Sequence, residues 1–83
     1  MDITFKLFAT LTDYLPKDRK DNAVHIQVPD GTTIQSLIDQ YNLPDKLVHL
    51  VLVNGVYVAP TDRGSKELTQ DDVLAIWPPV AGG

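Results

Sequence analysis

Thr32-Thr33-Ile34-Gln35-Ser36-Leu37-Ile38-Asp39-Gln40-Tyr41 is the stretch on which the fold turns. Ile34, Leu37, Ile38 and Tyr41 recur at i, i+3, i+4 and i+7, one apolar stripe of a helix that must lie against something flat. Pro29-Asp30-Gly31 makes a turn before it, and Thr32 with Gln35 has the spacing of a capping box, predicting a helix start there. Pro44 marks where the chain leaves the helix. Asp45 to His49 reads as a short turn or helical piece.

Period-two patterns flank this helix on both sides. Upstream, Ile3, Phe5 and Leu7 alternate with Thr4, Lys6 and Phe8, and Val24, Ile26 and Val28 alternate with His25 and Gln27, which predicts a hairpin. Its long connection, Leu11 to Asn22, carries Pro16 and the mixed charges Lys17-Asp18-Arg19-Lys20-Asp21, a solvated loop without an assigned role. Downstream, Leu50-Val51-Leu52-Val53, Asn54-Gly55 and Val56-Tyr57-Val58 form a short hairpin signal, since a type I′ turn needs positive φ at both central residues. A loop through Pro60-Thr61-Asp62-Arg63-Gly64 leads to Asp71-Asp72, which turns the chain into Val73-Leu74-Ala75-Ile76-Trp77. The order β-β-α-β-β-β predicts an α+β domain: a mixed sheet of about five strands with one main helix packed on one face.

Pro78-Pro79-Val80-Ala81-Gly82-Gly83 follows the last strand. The two prolines fix φ and lack N–H groups, so they end sheet pairing and project an arm. Gly82 and Gly83 have no Cβ and suit a narrow channel. We therefore expect a domain over residues 1–77 and a flexible C-terminal tail over residues 78–83.

Composition narrows the functional classes. Eighty-three residues hold one small core, and 43% hydrophobic with 22% charged residues is ordinary for a globular domain. Seven basic against eleven acidic residues give a net charge of −4, which opposes nucleic acid and favours a partner with a basic or apolar surface. No segment approaches the length of a membrane span, the N-terminus has no signal-peptide pattern, and a cytoplasmic location is expected. The absence of cysteine removes thiol chemistry and thiolate metal sites. His25 and His49 sit on different elements without ligand spacing, so no metal site is expected, and Asp71-Asp72 reads as a turn with side chains pointing apart. There is no Gly-rich phosphate loop and no Ser/His/Asp constellation.

Phe8-Ala9, Val53-Asn54-Gly55, the run from Leu68 through Asp72-Val73, and the Pro-Pro-Val-Ala-Gly-Gly ending together resemble the ThiS/MoaD sulfur-carrier family, with its ubiquitin-like β-grasp fold. The ending is closer to the MoaD branch, the small subunit of molybdopterin synthase. Where many MoaD-like chains carry an Arg soon after the Phe-Ala pair, this one has Thr10-Leu11-Thr12. The resemblance implies a carrier rather than an enzyme. An E1-like partner would adenylate the Gly83 carboxylate with ATP, a sulfur donor would displace AMP, and the Gly83 thiocarboxylate would pass sulfur to a molybdopterin precursor held by the synthase large subunit or an equivalent acceptor. No stably bound cofactor is implied. Carriers for thiamine, cysteine or tRNA thiolation share the fold and ending, a protein modifier would join Gly83 to a lysine instead, and a plain β-grasp binding module would leave the tail idle.

Strand parity, combined with that resemblance, places the docking surface. Leu74 and Ile76 are predicted to face the core, as are Val51 and Val53; Ala75 and Trp77 take the open face, with Leu52 there and Tyr57 near its edge. The expected partner-binding set is Phe8, Leu52, Tyr57, Trp77, Pro78, Pro79, Val80, Ala81 and Gly82. Trp77 has a second reading, a large residue capping the edge of the core.

Overall fold

In a computed structural model that describes residues 1–80, the chain forms five strands and one α-helix: β1 Asp2–Leu7, β2 Ala23–Gln27, α1 Ile34–Gln40, β3 Leu50–Val53, β4 Val56–Tyr57 and β5 Val73–Trp77. The sheet order is β2-β1-β5-β3-β4. β1 and β5 run parallel at its centre, and the two hairpins flank them antiparallel. The expected mixed sheet with one main helix is therefore present. Short 3-10 turns at Ala9–Tyr14, Asp45–Leu47 and Pro60–Asp62 fill the connections.

Pleating sorts each strand onto two faces. Ile3, Phe5, Leu7, Val51, Leu74 and Ile76 are almost wholly buried together with Ile34, Leu37 and Ile38 of the helix, so the apolar stripe meets the sheet as its spacing requires. Tyr41 closes one side of this core, its ring 5.1 Å from that of Phe5. The turn Asn54-Gly55 has φ of 52° and 83°, the two positive values that the hairpin needs.

One expectation needs correction. The helix is capped by Thr33 and Ser36, not by Thr32 and Gln35: Ser36 N–H donates to Thr33 Oγ1 at 3.1 Å, and Thr33 N–H donates to Ser36 Oγ at 2.9 Å. The cause is tertiary. Leu68 N–H donates to Thr32 O, and Ile34 N–H donates to Lys66 O, so this return segment pairs with Thr33, holds it extended and moves the start one residue on. Thr32 Oγ1 instead donates to Pro29 O at 2.7 Å, and the Gln35 amide donates to Asp39 one turn later. Ala75 occupies the open face as expected, yet it is buried there. Its cross-strand neighbours there are Lys6 and Leu52, whose longer side chains flank a single methyl.

Candidate functional site

The site grows from the C-terminal end of β5. Phe8 N–H donates to Ile76 O at 3.2 Å, and His49 N–H donates to Trp77 O at 3.1 Å. Pairing ends there because Pro78 and Pro79 have no N–H to offer. Pro78 is half-buried, while Pro79 and Val80 are exposed, Val80 at 78%. Ala81, Gly82 and Gly83 lie outside the described residues, as does that part of the tail expected over residues 78–83.

At the foot of the tail, the rings of Phe8 and Trp77 stack, their centroids 4.1 Å apart and their planes within 5°. Parallel pairing of β1 with β5 brings them side by side, since Leu7 is opposite Ile76 and the next residues follow in step. Both are half-buried, so each ring shields the other while one edge remains in solvent. Leu50 lies across from Trp77, Leu52 across from Ala75, and Tyr57 across from Leu52. The tail end of the open face is thus a run of Phe8, Trp77, Leu50, Leu52 and Tyr57, with Tyr57 55% exposed at the edge strand. A contiguous apolar patch of this kind is a candidate interaction surface. Leu50 belongs to it and was not singled out from the sequence, although its parity with Leu52 was available.

The other half of the open face is polar. Thr4 Oγ1 and His25 Nδ1 are 3.0 Å apart, across β1 and β2, which gives His25 a strand partner. His49 belongs to the turn before β3. Among the described residues no group of three or more His, Cys, Asp or Glu is placed to hold a metal ion. Among the described residues no helix is long and apolar enough to cross a membrane.

Phe8, in extended conformation, caps the 3-10 turn, and the next residue, Ala9, has a φ of 52°, in the left-handed region. Thr12 Oγ1 donates to Ala9 O at 2.8 Å, and Leu11 is fully buried. The segment Thr10-Leu11-Thr12 therefore anchors the turn after Phe8 through the buried Leu11 and offers no cation to a partner.

At the opposite end of β5, Asp72 is buried and accepts from Thr69 N–H and Asn54 Nδ2, both at 2.8 Å. Asn54 Oδ1 in turn accepts from Val73 N–H at 2.8 Å, and Asn54 N–H donates to Val73 O at 2.9 Å. Burial pushes the Asp72 carboxyl up, but the hydrogen bonds from Thr69 and Asn54, with Lys66 nearby, outweigh it and hold the group below its ordinary value of 3.8. Asp71, exposed at a φ of 68°, turns the chain. The two acids thus divide the work: Asp71 bends the backbone and Asp72 clamps the β3–β4 turn to the start of β5. A groove of about 620 Å³, lined by Tyr57, Ser65 and Lys66 among others, lies beside this clamp.

The family model described as the ThiS family matches residues 5–83. Among solved structures, SAMP1 from Haloferax volcanii superposes with a TM-score of 0.67 at 25% identity, with 100% of both chains covered. A further Haloferax volcanii protein, determined in solution, gives 0.71 at 27% identity and covers 100% of this chain and 87% of its own. A chain from the complex of subunits 1 and 2 of molybdopterin-converting factor from Helicobacter pylori gives 0.59 at 19% identity, with 100% of both chains covered, a likeness of fold alone. No curated protein matches the sequence at a significant level.

Proposed function

We propose that this chain, which belongs to the ThiS family of ubiquitin-like sulfur carriers, carries sulfur on its C-terminal glycine for delivery to a molybdopterin precursor. The observation that supports this most directly is that Pro78-Pro79 leave β5 beside the stacked Phe8–Trp77 pair, which puts an apolar patch at the root of the tail.

A carboxylate is a poor electrophile, so activation must come first. The Gly83 carboxylate attacks the α-phosphate of ATP on an E1-like enzyme and pyrophosphate leaves. A sulfur nucleophile then attacks the acyl carbon, AMP leaves, and the thiocarboxylate remains. ATP is consumed by the partner and is not held by the carrier. The chain itself docks and presents the end, which is a contribution of position rather than of acid–base groups. Gly82 and Gly83 offer only backbone to the partner's channel, with Ala81 and Val80 behind them. Phe8, Leu50, Leu52, Tyr57 and Trp77 supply the patch, first to the activating enzyme and then to the large subunit that holds the acceptor. The Helicobacter pylori relative, described as a complex of subunits 1 and 2, supports the second partner through fold. A carrier for thiamine, cysteine or tRNA thiolation would use the same parts.

A second reading is favoured by the likeness to SAMP1, a protein described as a small archaeal modifier. In it the same adenylate is captured by a lysine amine, giving an isopeptide. Intact mass after incubation with ATP, a sulfide source and the E1-like enzyme of the same organism tests both. Exchange of one oxygen for sulfur, lost when Gly83 is deleted, supports the carrier. Higher-mass conjugates that vanish with Gly83 support the modifier. A chain that undergoes neither change, with an enzyme proven active on another carrier, refutes both.

A further inference from the structure

Arg63 is a buried cation that the docking patch does not use. It lies in the connection after β4 and is only 6% exposed. Burying a guanidinium is costly unless its donors are met. Nη2 donates to His49 O at 3.2 Å, and Nε makes a longer contact to Val58 O at 3.4 Å. Its own carbonyl accepts from Gln35 N–H at 2.9 Å, which ties it to the first turn of α1. Arg63 therefore spans from the helix to both ends of the β3–β4 hairpin.

His49 is held on both sides of its Cα. Its carbonyl takes the Arg63 bond, and its N–H donates to Trp77 O. That acceptor belongs to the Trp77–Pro78 peptide, the first plane of the tail. Fixing the oxygen fixes that plane, and the two prolines, whose rings lock φ, carry its direction outward. Pro78 and Pro79 therefore turn with that plane when it loosens.

We propose that Arg63 is a positioning residue for sulfur-carrier chemistry: through His49 it sets the direction in which the tail leaves the sheet. The proposal rests on the carrier reading above. Arg63 lies off the Phe8–Trp77 patch, so loosening it leaves partner docking intact and lowers the fraction of docked complexes whose end is in the activating site. The kinetic mark is a fall in kcat at constant KM.

Two variants isolate the effect. Arg63→Lys keeps a cation but shortens its reach and loses the two-pronged geometry. His49→Pro removes the N–H that binds Trp77 O, in a segment where Val48, at φ −89° and ψ 91°, already lies outside the α region that a following proline disfavours. Each is assayed with ATP, sulfide and the E1-like enzyme of the same organism, at a temperature where circular dichroism shows it fully folded. Amide exchange at His49 is measured in wild type and Arg63→Lys without partner. We expect His49 exchange in Arg63→Lys to rise about fivefold, the equivalent of one backbone hydrogen bond. We expect kcat for thiocarboxylate formation to fall about three- to tenfold in either variant with KM unchanged. The double variant should be no slower than His49→Pro alone.

A folded Arg63→Lys chain with wild-type kcat overturns the proposal, as does full additivity in the double variant. If Arg63→Lys does not fold, an unchanged kcat in His49→Pro overturns it alone. A wild-type chain that never gains sulfur refutes the carrier reading instead, and with it delivery as the purpose of the brace; unchanged His49 exchange refutes the brace itself.

Discussion

Changing Asp72 to Asn replaces one atom and tests the clamp at the start of β5. The carboxylate accepts two hydrogen bonds at 2.8 Å, from Thr69 N–H and Asn54 Nδ2. An amide in the same place keeps one acceptor and turns an NH₂ toward a donor. A hydrogen bond to a charged group contributes ~1.5–3 kcal/mol, so losing one and weakening the other should cost about 2–3 kcal/mol. A chain of 83 residues has a total stability of roughly 4–12 kcal/mol. The variant should therefore melt roughly 10–20 °C lower. Urea unfolding followed by fluorescence of Trp77, the single tryptophan, reads the change directly.

Acid titration supplies the second arm. The carboxyl is held below 3.8 in the folded chain, so its contribution is complete above that value and is lost as pH falls through the lowered one. The wild-type-minus-variant difference should then shrink as pH falls below about 4. A variant within about 0.5 kcal/mol of wild type at neutral pH would refute the clamp. So would a difference of the same size at both ends of the acid range.

Trp77→Ala should lose the stack on Phe8 and part of its burial, about 2 kcal/mol of stability, while weakening binding to the E1-like enzyme by more than tenfold in a calorimetric titration; collapse of the fold with no separable binding defect would assign Trp77 to the core instead. Ala9→Gly should raise stability by about 0.5 kcal/mol in urea, because φ of 52° costs an alanine ~1 kcal/mol that glycine does not incur, offset in part by glycine's freedom when unfolded.

Local rules made the strands and helix legible. Alternation in Ile3 to Leu7, the i, i+3, i+4, i+7 stripe from Ile34 to Tyr41, and Asn54-Gly55 each report their own segment without reference to the rest. What escaped them depends on which distant segments meet. The cap at Thr33 is set by Lys66 and Leu68, more than thirty residues on. The stack of Phe8 on Trp77 needs β1 beside β5, a pairing between the first and last strands that no local pattern announces. Arg63 sits in a loop with neither period nor motif, and only burial against two carbonyls distinguishes it from a solvated charge. Asn54 and Asp72 were visible as fragments of a family resemblance, but their bond across 18 residues explains why the fragments occur together.

The central β1–β5 pair also decides how the molecule answers to force. Tension applied at Met1 and at the tail pulls the start of β1 one way and the end of β5 the other, along strands that run parallel and share backbone bonds from Thr4 opposite Val73 to Leu7 opposite Ile76. These bonds are loaded in shear, so they must fail together; a hairpin pulled from its open end would unzip one bond at a time. Any machine that grips this chain by its C-terminal end and draws it from a held N-terminus meets its strongest direction first, and the rate of forced opening is set by that barrier rather than by equilibrium stability.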